Sequence, residues 1–134
     1  MSTNYKVVHA KDFIKSKHAG EIDLEESKKS LVLIAKIAEP PADFDILVDT
    51  REAQINLDIT EMLELAYELT QHRDSFKNKI AFLVDNDIEL AKANLLEFYA
   101  RDRGFKAKAF NNFEDTINWF YAPDGMEEDL WDKL

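Results

Sequence analysis

The chain contains no cysteine, which excludes disulfides, thiolate metal sites and a cysteine nucleophile. Glycine and proline are scarce, at three residues each. Gly20, Gly104 and Gly125 are isolated, so no glycine-rich phosphate cradle of the mononucleotide or dinucleotide kind is present. Long apolar runs are missing too. Leu31 to Ala35 and Ile80 to Val84 are the longest and fall far short of a membrane span. No apolar leader follows Met1, so a secretory signal is not expected and the default compartment is the cytoplasm. Basic residues are outnumbered, with 17 Lys and Arg against 27 Asp and Glu and a net charge of -10. That balance argues against nucleic-acid binding and against an anionic membrane surface, where a basic face supplies the affinity.

What remains is a globular composition. The 134 residues are 46% hydrophobic and 33% charged, enough for one core and one domain. Pro123-Asp124-Gly125 separates a body, residues 1–122, from a short acidic tail, residues 123–134. Tyr5 to His9 and Phe13 to Lys17 read as a hairpin turning at Ala10-Lys11-Asp12, with Gly20 ending the extended run. Asp23 and Glu26 form a capping box ahead of a helix carrying Leu24, Leu31, Ile34, Ala35 and Ala38. By composition alone Leu31 to Ile37 also suits a buried strand; length and the cap favour helix. Phe44 to Asp49 is a buried strand, followed by a loop to Asp58. Asp58 and Glu61 form a second capping box, before a helix striped by Ile59, Met62, Leu63, Ala66 and Leu69. Lys79 to Asp85 is another apolar strand. Asp87 can cap the next helix, whose apolar stripe is Ile88, Ala91, Leu95, Phe98 and Tyr99, and Gly104 can stop it. Phe105 to Phe110 is a last strand, and Asn111 or Asn112 caps a short helix carrying Phe113, Ile117 and Phe120.

The order β-β-α-β-α-β-α-β-α predicts an α/β single domain. Its sheet is mixed, mostly parallel and about five-stranded, with helices packed on it. The runs at Ile46 and Ile80 belong at its centre. Lys106 and Lys108 suit an edge strand.

This arrangement resembles the STAS domains, the anti-sigma-factor antagonist or SpoIIAA-like family. The resemblance rests on Phe44 to Arg51 leading into the helix at Thr60, on Lys79 to Val84 leading into the helix at Ile88, and on Gly104 to Phe110 before Trp119-Phe120. It implies a regulatory, protein-binding module without catalysis, with a protein partner or a homodimer. It also implies a phosphoacceptor at the start of the helix after the third strand, which here is Thr60. Family members carry small residues and a glycine just after the acceptor, where this chain has Glu61-Met62-Leu63.

The residues themselves offer several sites. Asp49, Arg51, Asp85 and Asp87 follow the central strands and should meet at the carboxyl edge of the sheet, where open α/β sheets bind ligands. Arg51 can grip a carboxylate or phosphate, which supports the competing reading of a small anionic-ligand or lipid-binding domain at that edge. The plainer reading pairs Asp49 with Arg51 to fix the loop. A third reading makes Asp49 and Asp85 an acid–base pair. Asp58 and Thr60 sit at a helix start, where free N–H groups favour an anion, although Asp58 and Glu61 would repel an added phosphate. His9, His18 and His72 lack metal-ligand spacing, so no metal and no cofactor are expected. Arg101 to Lys108 is the one basic cluster; it can dock an acidic partner or complement its helix dipole. The tail residues Leu130, Trp131 and Leu134 can fold back on the domain or enter a partner's groove.

Overall fold

Ile46-Leu47-Val48 and Ile80-Ala81-Phe82-Leu83 place apolar side chains on both faces of their strands, so the sheet they form needs cover on both sides. The computed structural model describes residues 13–122 in full and residues 2–8 by their backbone. The elements are β1 (Ser2–Val8), β2 (Phe13–Ile22), α1 (Leu24–Ile37), β3 (Asp45–Ile55), α2 (Ile59–Thr70), β4 (Lys79–Leu83), α3 (Asp87–Asp102), β5 (Lys106–Phe110) and α4 (Phe113–Tyr121). A short 3-10 turn at Arg73–Ser75, which the sequence pattern did not suggest, joins α2 to β4.

Strand order is β1-β2-β3-β4-β5, with β1 antiparallel to β2 and the rest parallel. The domain is therefore mixed α/β, and β5 with Lys106 and Lys108 lies at an edge. Ile14, Ile46, Ile80 and Ala107 face α1, α2 and α3, meeting Leu31, Ile34, Leu69 and Ala100. Phe13, Leu47, Ala81, Leu83 and Phe110 face the other way and are covered by Trp119 and Phe120 of α4. Among the described residues, three helices thus cover one face and a single short helix covers the other.

The caps follow the sequence with two exceptions. The first is that the box expected at Asp23 is only half formed, with no return bond from Glu26 among the described residues. Asp23 and Asp58 accept the backbone N–H groups of Glu26 and Glu61, and Glu61 returns a bond to the Asp58 N–H. The cap of α3, however, is Asn86 and not Asp87, which stands inside the first turn. Asn112 caps α4. Gly104 ends α3 at φ 92, a left-handed conformation costly for any residue with a Cβ.

Two strands run further than expected. Gly20, at φ 83, does not end β2, which continues to Ile22. The segment expected as a loop from Thr50 is strand as far as Ile55, because β2 continues to pair with it after β4 has ended. The register slips between Lys17–Asp49 and Ala19–Glu52, so Thr50 and Arg51 together face His18. That is a β-bulge, and it breaks the period-two pattern that would have marked a strand. The turn at Ala10 to Asp12, His9, and the tail from Pro123 lie outside the described residues.

Lys79 anchors the thinly covered face. It is buried, and its Nζ donates to the carbonyls of Trp119 and Ala122 at the end of α4, the first at 2.7 Å. It also lies 5.4 Å from the Trp119 ring centroid. Lys79→Met keeps the volume and removes both charge-assisted bonds, so it should destabilise the domain by about 2–4 kcal/mol in urea unfolding, with Trp119 fluorescence altered in the native state.

Candidate functional site

The carboxyl edge is organised by Asp49, whose side chain is almost fully buried where β3 outruns β4. Its Oδ1 accepts the Arg51 backbone N–H at 3.1 Å and Arg51 Nε at 3.0 Å, and its Oδ2 accepts Arg51 Nη2 at 2.8 Å. Lys15 Nζ lies 3.7 Å from Oδ2. The carboxylate therefore ties the bulge to itself, holding the backbone and the side chain of Arg51 at once. Burial pushes the Asp49 pKa up, but the bonds from the Arg51 side chain and backbone and the charges of Arg51 and Lys15 outweigh it, leaving it below the usual carboxylate range.

Arg51 is half-exposed, and its guanidinium sits 5.6 Å from the ring centroid of Phe113 at the start of α4. Asp85 is near enough to stabilise its charge. The planar fork is already occupied by a carboxylate of the same chain, in the arrangement that would otherwise grip an anionic ligand. Thr50, the other bulge residue, is buried, and its hydroxyl donates to the Leu83 carbonyl at 2.9 Å.

The remaining edge residues form separate groups. Asp87 Oδ1 accepts from Asn111 Nδ2 at 3.2 Å, linking the start of α3 to the loop after β5. Asp58 is engaged in the capping box, with Thr60 exposed in the first turn beside it. Among the described residues, no hydrogen bond or ion pair joins Asp58 or Thr60 to Asp49 or Arg51. Nor do three or more His, Asp or Glu side chains gather there as a metal site would need.

Two groups escaped sequence reasoning. Buried Glu89 accepts the Ile55 N–H at 3.0 Å, and Lys92 Nζ bonds both the Ile55 carbonyl, at 3.0 Å, and Glu89 Oε1, at 3.1 Å. Together they stand in for the missing strand beside the end of β3. The second is an outward apolar face. The stripe assigned to the inner side of α3 points to solvent, with Ile88 73% and Phe98 63% exposed and Leu95 also exposed. The inner side is Glu89, Ala93 and Ala100 instead. On α2, Met62, Ala66 and Leu69 are buried as expected, whereas Ile59, Leu63 and Tyr67 face outward, Tyr67 at 60%. Helices α2 and α3 are neighbours on the same side of the sheet.

No protein-family model matches the sequence, and no curated protein matches it either. Solved structures do match in fold. A DUF3478-family protein with a SpoIIAA-like fold from Shewanella loihica PV-4 aligns with TM-score 0.59 at 14% identity, over 89% of this chain and 92% of that one. The anti-sigma factor antagonist SpoIIAA in its unphosphorylated form aligns with TM-score 0.57 at 11% identity, over 91% of this chain and all of its own length, 100%. The chain has the SpoIIAA-like fold.

Because the Asp49 pKa is lowered on folding, its contribution is complete above the unfolded value of about 4 and is lost as pH falls through the folded value. Asp49→Asn should cost about 1–3 kcal/mol at pH 7. The stability gap between the native protein and this variant should stay level down to about pH 5 and narrow below about pH 4, as read by urea unfolding across that range.

Proposed function

We propose that the chain is a non-catalytic regulatory module that binds another protein through the outer faces of α2 and α3. The observation that carries this reading is the double row of large apolar side chains turned to solvent, Ile59, Leu63 and Tyr67 on α2 with Ile88, Leu95 and Phe98 on α3. Exposed apolar clusters of this kind mark protein contacts more often than chance exposure does. Aromatic residues among them are the usual anchors of such contacts.

The SpoIIAA-like fold supports the reading, since one protein of this fold is an anti-sigma factor antagonist. Glu61, Glu64 and Glu68 also lie on α2 and the chain carries a net charge of -10, so the partner surface should be apolar with a basic rim. Exposed Asp58, Thr60, Asp85 and Asp87, at or just before the starts of α2 and α3, form the rim of this surface in our reading, while Asp49 and Arg51 hold the bulge behind it.

Thr60 is the hydroxyl through which phosphorylation would act. It is exposed, in the first turn of α2 and next to Ile59. A phosphate there would meet the Asp58 and Glu61 carboxylates, which are committed to the capping box, and its charge would loosen that turn. Phosphorylation in this reading releases the partner. An anionic ligand gripped by Arg51 draws no support from an edge whose guanidinium already holds Asp49.

The test is affinity purification of the tagged protein from cells that make it, beside a Leu63→Glu/Tyr67→Glu variant whose folding is checked by circular dichroism. A partner enriched at least tenfold with the native protein and lost with the variant is the expected result. Light scattering distinguishes a second copy of this chain from a different protein. An identical set of retained proteins for both forms would overturn the proposal.

A further inference from the structure

Between the sheet and the layer of α1, α2 and α3 lies a cavity of about 110 Å³. Native cores seldom contain voids much larger than a water molecule, so a space of this size inside a domain of 134 residues is an unfilled volume and not a packing irregularity. Leu31, Ile34, Leu69, Phe76 and Ile80 wall it toward the amino ends of the strands. The half-buried Ser27, Ile55 and Leu57 lie at the opposite, carboxyl end. No Lys, Arg, Asp or Glu is among the described residues that line it.

A few polar groups interrupt the apolar wall. The Thr50 hydroxyl is committed to the Leu83 carbonyl, and His18 shares a hydrogen bond with Ser16. Burial lowers the His18 pKa against the opposing pull of Asp49, which favours the neutral imidazole. Ser30 is different. It is 8% exposed and lines the cavity, and its hydroxyl has no hydrogen-bond partner among the described residues. The hydroxyl reaches the cavity rather than being sealed in the wall, so it is free to accept or donate one bond to a guest.

We propose that this cavity is a binding site for a small, uncharged, mostly apolar molecule that offers one hydroxyl-like group to Ser30. The volume sets the size, since an apolar cavity of about 150 Å³ holds a benzene ring. The absence of any charged lining residue sets the charge, because a buried anion or cation would find no partner to offset its desolvation. This site lies on the far side of β3 from the Asp49–Arg51 pair and does not depend on a protein partner, so it extends the interaction role without resting on it.

Phenol, benzene and benzoate are the probes, titrated at pH 7 while methyl resonances of Ile34, Leu69 and Ile80 are followed by NMR. Phenol should give saturable shifts at these methyls and a raised melting temperature. Benzene should bind more weakly, and benzoate should give no saturable shift. Ser30→Ala should weaken phenol about 5- to 10-fold and leave benzene unchanged. Ala93→Leu, which fills the space from α3, should abolish binding of both; if that variant does not fold, Leu96→Phe fills the same space and is read in its place. The proposal is overturned if phenol gives no saturable shift, if the filled variant binds it as the native protein does, or if benzoate binds as tightly as phenol.

Discussion

The buried Asp49 carboxylate holds the one irregularity on which the carboxyl edge depends. By accepting the backbone N–H of Arg51 together with its Nε and Nη2, it fixes the bulge at Thr50 and Arg51. The bulge turns Thr50 inward to the Leu83 carbonyl and Arg51 outward over Phe113. It also lets β3 resume pairing with β2 and run on to Ile55, six residues past the last pair with β4 at Asp49. Without a carboxylate here the Arg51 N–H would be an unpaired donor in a partly buried setting, and the overhang would lose its starting point. The overhang is then closed from the other side, where Glu89 and Lys92 satisfy both backbone groups of Ile55.

The sheet divides the labour of its two faces unequally. One short helix, α4, seals the Asp49 face with Trp119 and Phe120, held down at its end by Lys79. Three helices seal the other face, yet on α3 the fully buried residues are small or polar, Ala93, Ala100 and Glu89, with Leu90 and Leu96 only half-buried beside them. Large apolar residues that could have filled that layer, such as Leu95 and Phe98, stand on the outer side of the same helix. The unfilled inner volume and the apolar outer surface are therefore two consequences of one distribution of side chains. A chain selected only for stability would gain by the reverse placement, since burial of such residues is the main favourable contribution to folding.

Much of the fold was legible because its signals are local. The N-cap at Asp23, the capping box at Asp58 and the unbroken apolar runs at Ile46 and Ile80 each need only a few neighbouring residues to be read. The end of β3 was not legible, since Glu52 and Gln54 look like loop residues and the bulge displaces the alternation by one. The stripe of α3 was read on the wrong side for a different reason. Leu90, Ala93, Leu96 and Ala100 repeat at helical spacing as regularly as Ile88, Ala91, Leu95 and Phe98 do, and periodicity alone does not choose between two apolar faces. The Asp49–Arg51 pair was within reach of sequence reasoning because its members are two residues apart. Glu89 against Ile55 was not, being 34 positions distant, and neither was a cavity whose walls come from six elements.

The outer faces of α2 and α3 are the proposed contact surface for another protein. The most direct measurement places a photo-crosslinking residue at Tyr67 in living cells, with the same residue at exposed Asn118 on α4 as the control. One dominant cross-linked protein at Tyr67, and none of it at Asn118, is the expected result. Equal cross-linking at both positions, or none at Tyr67 while the protein is folded and abundant, would contradict it.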